Sequence, residues 1–313
     1  MFEKILVLTD FSPYARKFLE YIGDFPEVKD VAILNIAFKD PRVKVWDPAA
    51  KVKDIEKKLA KEKKLIKAPG VNVTVRAVSM MDGDIAMEIP KAIQTVASEE
   101  NSQLVVMGAR GKSIIQSMLL GSMTRNLLRF GDRHLLIMRY RIGNPSLAHI
   151  TKGTSSEVPE ALQGPEMLDK FGTSILSKVL IPTDFSQPAE AVISSIGSMN
   201  GLGEIVLLHV VSKGESKEEI DTAIKEATRK LNAISRKLKK GDMKVTPRVA
   251  VGSPVELMRS IADEEDVSMI AMSSVGEDAM RVGRIGSITY DVANTANRPV
   301  LIIRPRLVYN FSF

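Results

Sequence analysis

The fold is decided by the stretch Lys4-Ile5-Leu6-Val7-Leu8-Thr9-Asp10-Phe11-Ser12, because it occurs again as Lys178-Val179-Leu180-Ile181-Pro182-Thr183-Asp184-Phe185-Ser186. In each copy an apolar run ends in the same four residues, Thr-Asp-Phe-Ser. A short apolar run without polar alternation is typical of a buried parallel strand, since both faces of a parallel sheet are covered. The duplication therefore predicts one α/β unit written twice.

Three further pairs of segments extend the repeat. They are Val31–Ile36 with Ile205–Val210, Leu104–Gly108 with Met269–Ser273, and Leu135–Arg139 with Val300–Arg304. Helical patterns lie between the apolar runs, and this alternation predicts βαβ units that form an open, Rossmann-like parallel sheet of five strands in each copy. The first copy is about nine residues longer, and we place the extra residues between Lys39 and Ala50.

These boundaries predict a first domain at residues 1–140, a linker at 141–174, a second domain at 175–306 and a tail at 307–313. The linker is rich in Gly, Pro, Ser and Thr, and a short helix is predicted over 161–171. If the final strands Leu135–Arg139 and Val300–Arg304 pair, the two copies form a pseudo-dimer within one chain. A homodimer of two such chains stays open.

Composition narrows the classes of function. The 313 residues include no cysteine, which excludes disulfides, thiol catalysis and cysteine-ligated metal and favours a cytoplasmic location. No apolar run approaches the ~18 residues that a membrane span needs, and the amino end has no signal-peptide layout. The net charge of +6 comes largely from Lys51–Lys67. We read that segment as an amphipathic helix with its lysines outward, and we expect neither a nucleic acid nor a membrane as partner.

A candidate phosphate-binding loop follows the fourth apolar run. It reads Met107-Gly108-Ala109-Arg110-Gly111, then nine residues, then Gly121-Ser122, and the second copy reads Ser273-Ser274-Val275-Gly276, nine residues, Gly286-Ser287. Glycine allows a close approach of the backbone to a ligand, and a helix that starts at the Gly-Ser pair offers amides to an anion. If the first and fourth strands are neighbours where the strand order reverses, Asp10 faces this loop across one crevice.

Simpler interpretations compete with this one. The segments Asp10-Phe11-Ser12 and Asp184-Phe185-Ser186 could simply cap the first helices, and the serines of the Gly-Ser pairs could be plain helix caps. Gly111-Lys112-Ser113 looks like the end of a Walker A loop, but Val106 stands where that loop needs glycine. Asp82-Gly83-Asp84 is better read as a turn and a helix cap than as a metal site. His209 lies in an apolar strand and aligns with Asn35 of the other copy. It is better read as a hydrogen-bonded core residue than as a catalyst.

The chain resembles the universal stress protein family in tandem form. The resemblance rests on Ile5–Ser12, Val179–Ser186, Gly252-Ser253-Pro254 and the two glycine loops. It implies a Rossmann-like fold of the adenine nucleotide alpha hydrolase type, a stress-response or regulatory role, and ATP or AMP as ligand, with Mg²⁺ as an optional companion.

The family pattern implies contacts at matching positions only. Asp10 and the backbone around Ile36 would contact adenine and ribose, and the glycine loop and the Gly-Ser helix start would hold ribose and phosphates. The implied site of the first copy comprises Leu8, Thr9, Asp10, Ile36, Met107, Gly108, Arg110, Gly111, Gly121, Ser122, Met123 and Thr124. The implied weaker site of the second copy comprises Thr183, Asp184, Val210, Ser273, Gly276, Gly286 and Ser287.

The second copy departs from the pattern in two ways. Ser273 replaces the first glycine, and Glu277 and Asp278 stand where the first copy has Lys112 and Ser113. Two carboxylates near a phosphate repel it, so we expect the first copy to bind nucleotide well and the second weakly or not at all.

Three classes of function remain. The first is a nucleotide-binding regulatory protein without catalysis. The second is a slow ATP-hydrolysing or adenylating enzyme of related fold, for which the sequence offers no catalytic acid, base or metal set. The third is a partner-binding module without ligand. We favour the first and therefore expect no catalytic residues, while weak ATP hydrolysis stays open.

Overall fold

The computed structural model describes residues 1–39, 46–80, 85–109, 120–142, 168–212, 216–238, 243–276 and 285–304. The chain divides into two compact units, Met1–Asp169 and Lys170–Phe313. None of the helices in these described ranges is both long enough and apolar enough to cross a membrane.

Unit 1 contains five parallel strands in the order β3-β2-β1-β4-β5. They are β1 (Lys4–Leu8), β2 (Asp30–Phe38), β3 (Asn72–Met80), β4 (Leu104–Gly108) and β5 (His134–Met138). Ile5 of β1 pairs with Val31 of β2 on one side and with Leu104 of β4 on the other. The order of strands therefore reverses between β1 and β4, as the sequence interpretation required.

Four described helices flank these strands. They are α1 (Pro13–Glu20), α2 (Pro48–Glu62), α3 (Ile85–Glu99) and α4 (Ser122–Phe130). Ser12 caps α1 by accepting a hydrogen bond from the amide of Ala15 (3.2 Å), and Asp47 caps α2 in the same way through Ala49 and Ala50. Each cap is followed by proline at the first helical position, where its missing N–H costs nothing.

Central strands β1 and β4 form the core of unit 1. Leu6 and Val106 are completely buried, as is Leu59 on the inner face of α2. Burying one such side chain contributes about 1.5–3 kcal/mol, so the continuous apolar runs are what fixes these strands in the middle of the sheet. Truncating Leu6 to alanine would cost about 2–5 kcal/mol of stability.

Unit 1 also contains an antiparallel pair, β6 (Arg141–Ile142) with β7 (Leu168–Asp169). The helix predicted over 161–171 is therefore wrong at Leu168–Asp169, because these residues use their backbone groups in a ladder with β6. Residues 143–167 of the proposed linker lie outside the described ranges.

Unit 2 repeats the architecture with the strand order β10-β9-β8-β11-β12. Its strands are β8 (Lys178–Pro182), β9 (Glu204–Val211), β10 (Lys244–Val251), β11 (Met269–Ser273) and β12 (Val300–Ile303). Its described helices are α5 (Gln187–Gly197), α6 (Lys217–Leu238), α7 (Pro254–Glu264) and α8 (Ser287–Thr295). Two Rossmann-like domains in tandem thus make up the chain.

The extra residues of the first copy lie mostly after β3, not between Lys39 and Ala50 as predicted. Strand pairing makes Asn72 equivalent to Lys244 and Leu104 equivalent to Met269, so the connection from β3 to β4 contains most of the excess. Part of it is α3, which has 15 residues where α7 has 11. A crossover helix can lengthen without changing the register of the strands that it joins, which is why the excess is tolerated there.

Candidate functional site

A cavity of about 530 Å³ opens in unit 1 beyond the carboxyl ends of β1, β2 and β4. This is the position where ligands bind in open α/β sheets. It is lined by Leu8, Thr9, Asp10, Phe11, Ala15, Leu34, Asn35, Ile36, Ala37, Phe38, Lys51, Ile55, Lys58, Met107, Gly108, Gly121, Ser122, Met123 and Thr124. The structure thus brings together the predicted residues of the first site that it describes. Arg110 and Gly111 lie outside the described residues, as do Lys112 and Ser113.

Asp10 occupies a tight turn between β1 and α1. One of its carboxylate oxygens, Oδ1, accepts a hydrogen bond from the amide of Ser12 (3.0 Å). The other, Oδ2, is buried and meets no hydrogen-bond partner in the part of the chain that the structure describes. A buried carboxylate oxygen without a donor is costly, so this atom is suited to receive a donor from a ligand. Ser12 of the same segment caps α1, as the simpler interpretation allowed, while Asp10 Oδ2 is left for another role.

The turn that holds Asp10 has an unusual backbone. Phe11 has a φ angle of 64°, in the left-handed region that bulky side chains rarely adopt, and Phe185 of unit 2 has the same value. The amide of Phe11 donates to Thr9 Oγ1 (3.0 Å), and this contact helps to hold the conformation. Strain of this kind collects at functional sites, where the surrounding structure keeps it in place.

On the opposite side, the cavity meets the amino end of α4. Gly121 is the capping residue, and no side chain caps the first turn of this helix among the described residues. Ser122 is the first helical residue and is exposed, so it is not the plain cap that the sequence allowed. An uncapped helix start carries amides and the positive end of the helix dipole, both of which suit an anion.

Thr124 anchors this helix start to β4. Its hydroxyl donates to the backbone oxygen of Gly108 (3.1 Å), and the side chain is buried. Thr289 of unit 2 makes the same contact with Ser273 (2.8 Å). The single hydroxyl proton of Thr124 is therefore already engaged, which leaves the backbone and the neighbouring Ser122 as donors toward the cavity.

One wall of the cavity was missed by the sequence interpretation. Lys51, Ile55 and Lys58 of α2 line it, although the lysines of this helix were expected to point outward. Asn35 lies beneath them in β2, with its amide nitrogen donating to the backbone oxygen of Thr9 (2.7 Å). The available signal was Asn35 itself, a polar residue inside an apolar strand that aligns with His209.

Unit 2 shows how closely the aspartate and the glycine loop approach. A Cβ atom added to Gly276 would lie 3.1 Å from Asp184 Oδ2. Asp184 Oδ1 accepts hydrogen bonds from both the amide and the hydroxyl of Ser186 (3.0 and 2.5 Å). The hydroxyl of Ser273, at the position of Gly108, accepts from the amide of Val275 (3.2 Å). The loop of unit 2 thus uses its serine to stabilise its own turn.

Phe185 of unit 2 contacts both His209 and Lys230. The equivalent residues of unit 1, Phe11, Asn35 and Lys58, line the cavity. The ring of Phe185 stacks on His209 at a centroid distance of 4.5 Å, and the Lys230 ammonium lies 5.1 Å from the Phe185 ring. His209 Nδ1 is hydrogen-bonded to the backbone oxygen of Thr183 (2.8 Å). This is the satisfied histidine that the sequence predicted.

The remaining predicted residues are placed as follows. Val210 lies in β9, and Gly286 caps α8, which begins at the exposed Ser287. Glu277 and Asp278 lie outside the described residues, as does Asp82-Gly83-Asp84. Within the described ranges, no group of three or more His, Asp or Glu side chains could hold a metal ion.

Comparison with known proteins identifies the family. The model of the universal stress protein family matches residues 1–139 and 176–304. The universal stress protein MJ0577 of Methanocaldococcus jannaschii is 31% identical over 152 residues, which cover 41% of this chain and 94% of that protein. A universal stress protein of Methanothermobacter thermautotrophicus is 30% identical over 148 residues, covering 44% and 97%.

The same relationship extends over the whole chain at the level of fold. The crystal structure of a universal stress protein from Archaeoglobus fulgidus superimposes with a TM-score of 0.58 over 96% of each chain, at 18% identity. The likeness at that identity concerns the fold alone. Because the family model matches both units, the chain belongs to the universal stress protein family, with two family domains in tandem.

Proposed function

We propose that unit 1 binds an adenine nucleotide, ATP or AMP, and that the protein acts as a nucleotide-dependent regulatory protein of the stress response. The observation that carries the proposal is the cavity itself. Among the residues that the structure describes, it has a buried carboxylate oxygen without a hydrogen-bond donor on one side and a helix start without a side-chain cap on the other. A nucleotide has complementary groups, since its ribose hydroxyls donate hydrogen bonds and its phosphates are anions.

In this proposal the carboxylate of Asp10 accepts a hydrogen bond from a ribose hydroxyl or from the amino group of adenine. The apolar cavity residues Leu8, Ile36 and Met107 flank the base and sugar. The amides of Ser122 and Met123 at the start of α4 hold the phosphates, and Gly108 allows the backbone to come close. From the sequence motif we expect Arg110 and Gly111 to contact the ribose and phosphates, and Mg²⁺, where it accompanies ATP, would be held through the phosphates.

Binding rather than turnover is the activity that we propose. In the described part of the site the charged side chains are Asp10, Lys51 and Lys58, and the Asp10 carboxylate is engaged on one oxygen by Ser12. A general base needs reach to a water or hydroxyl that attacks the phosphate, which in this arrangement lies near α4 on the far side of the cavity. A cytoplasmic location and the pairing of the two copies through their final strands stay predictions.

Equilibrium binding to the full chain tests the proposal. We expect wild-type protein to bind ATP or AMP, and Asp10→Asn to weaken binding about ten- to a hundredfold, because hydrogen bonds to a charged group contribute about 1.5–3 kcal/mol. Asp184→Asn, the same change in unit 2, is the matched control. Absence of binding by wild-type protein, or equal binding by Asp10→Asn, would contradict the assignment, and steady phosphate release would favour the enzyme alternative.

A further inference from the structure

Glu62 is a buried carboxylate at the end of α2 that joins three elements of unit 1. Only 3% of the residue is exposed. Its Oε2 accepts a hydrogen bond from the hydroxyl of Thr9 (2.9 Å), at the end of β1, and its Oε1 accepts from Arg16 Nε (2.7 Å) on α1. We call Thr9, Glu62 and Arg16 the turn clamp, since they surround the turn that carries Asp10.

The turn clamp is not required for the fold. Leu59 and Leu231 are completely buried on equivalent helices, and each lies fourteen residues before an equivalent strand valine, Val73 or Val245. By this alignment Ile234 of unit 2 is the equivalent of Glu62. Because an apolar residue serves there, and because burying a charge is costly even when it is paired, Glu62 needs a reason other than stability.

The clamp is not required for the turn either. The hydroxyl of Thr183 in unit 2 accepts a hydrogen bond from the amide of Phe185 (3.0 Å), just as that of Thr9 accepts from Phe11. Among the described residues of unit 2, no carboxylate accepts a hydrogen bond from Thr183 as Glu62 does from Thr9. What Glu62 adds is a link between the turn and α2. Unit 2 links the corresponding elements differently, through the Lys230 ammonium over the Phe185 ring.

This link matters because α2 forms a wall of the cavity. Lys51, Ile55 and Lys58 line it, while Glu62 lies near the other end of the same helix. Lys58, at the position of Lys230, is thereby left facing the cavity, where its ammonium also pairs with Asp54 (2.9 Å). A wall that is held in place before the ligand arrives does not have to be ordered when the ligand binds.

We propose that Glu62 is a positioning residue that fixes the α2 wall against the Asp10 turn and so holds this wall in its binding position before the ligand arrives. The proposal rests on the proposed function of unit 1. It predicts the direction in which nucleotide affinity changes when Glu62 is replaced. If Glu62 acted only as a negative charge near an anionic ligand, neutralising it would tighten nucleotide binding, whereas loss of a positioning contact weakens it.

The test compares Glu62→Ile and Glu62→Gln with wild type in the full chain, using AMP and ATP as probes. Glu62→Ile takes the residue of unit 2. We expect its thermal stability without nucleotide to be unchanged or higher, and its nucleotide affinity to fall about five- to twentyfold. Glu62→Gln has one oxygen that can accept from Thr9 or from Arg16, so we expect a smaller loss. Ile234→Val in unit 2 is the matched control and leaves affinity unchanged.

Hydrogen exchange supplies the second readout. In wild-type protein the amides of α2 at residues 51–62 should already be protected without nucleotide. In Glu62→Ile they should exchange faster without nucleotide and regain protection when AMP binds, while α1 and β1 exchange as in wild type. Equal or tighter binding by both variants, with α2 protected as in wild type, overturns the inference. The proposed function still stands in that case if Asp10→Asn weakens binding as expected. Wild-type protein that binds neither probe overturns both.

Discussion

At the scale of single residues, the site depends on which hydrogen-bonding groups are already engaged. Asp10 and Thr124 were both expected to contact the ligand, and both line the cavity. Their side chains differ in what they can still offer. Asp10 keeps a buried oxygen that has no donor within the described ranges, whereas the Thr124 hydroxyl donates to Gly108. Residues of one motif can thus serve either to bind the ligand, as we assign to Asp10, or to stabilise the loop, as Thr124 does.

Thr124→Val provides a residue-scale prediction. The substitution removes one buried hydrogen bond and leaves the Gly108 carbonyl without its donor, so we expect unfolding of unit 1 to become easier by about 1–2 kcal/mol. Nucleotide affinity should fall less than threefold, because the hydroxyl does not face the ligand. Urea unfolding and AMP titration measure the two effects. Thr289→Val is the matched variant in unit 2, and a large loss of affinity in Thr124→Val alone would make Thr124 a ligand donor.

Some residue-scale features cannot be read from the sequence. The left-handed backbone at Phe11 is one, because local rules favour Gly or Asn there, and the conformation is enforced by contacts such as the one with Thr9. The clamp carboxylate Glu62 is another. In sequence it is one charge in a lysine-rich helix. Only the packing of α2 on β2 and β3, with the contacts to Thr9 and Arg16, reveals that it is buried.

At the scale of elements, the sequence predicts best what repeats and what is apolar. The runs at Lys4–Leu8 and Leu104–Gly108 mark adjacent strands. Their pairing places the reversal of strand order where these strands end, beside Asp10 and Gly108. The α2 wall was missed because an amphipathic pattern indicates the buried face of a helix. It does not reveal that part of the exposed face overlooks a cavity.

The start of α4 gives the element-scale prediction. Aspartate at position 121 would cap the helix with its own carboxylate and occupy the amides that we assign to phosphate, so Gly121→Asp should raise stability by a few tenths of a kcal/mol. It should also weaken AMP binding at least tenfold through repulsion and competition. Thermal unfolding would show the gain in stability, and titration calorimetry would show the loss of AMP affinity. Gly286→Asp in unit 2 serves as the control, and unchanged AMP affinity in Gly121→Asp would remove α4 from the site.

At the scale of the whole molecule, one fold occurs twice with different chemistry at the same place. Unit 1 has glycine at position 108 and a cavity lined in part by Phe11, Asn35 and Lys58. The equivalents in unit 2 contact one another, and a serine stabilises the loop in place of the glycine. Duplication therefore preserved the strands and helices, which depend on apolar periodicity, more strictly than the polar residues at the strand ends.

This asymmetry predicts one nucleotide per chain. Calorimetric titration of the full chain with AMP should give a stoichiometry near one. Asp10→Asn should lower the affinity about ten- to a hundredfold, and Asp184→Asn should leave both values unchanged. A ligand at a hundred times its Kd stabilises the state that binds it by about 2.7 kcal/mol, so hydrogen exchange of β1 and β4 should slow while that of β8 and β11 stays unchanged. Because each strand reports on its own unit, two nucleotides per chain or equal protection of both sets would show that the serine loop of unit 2 still accepts the ligand.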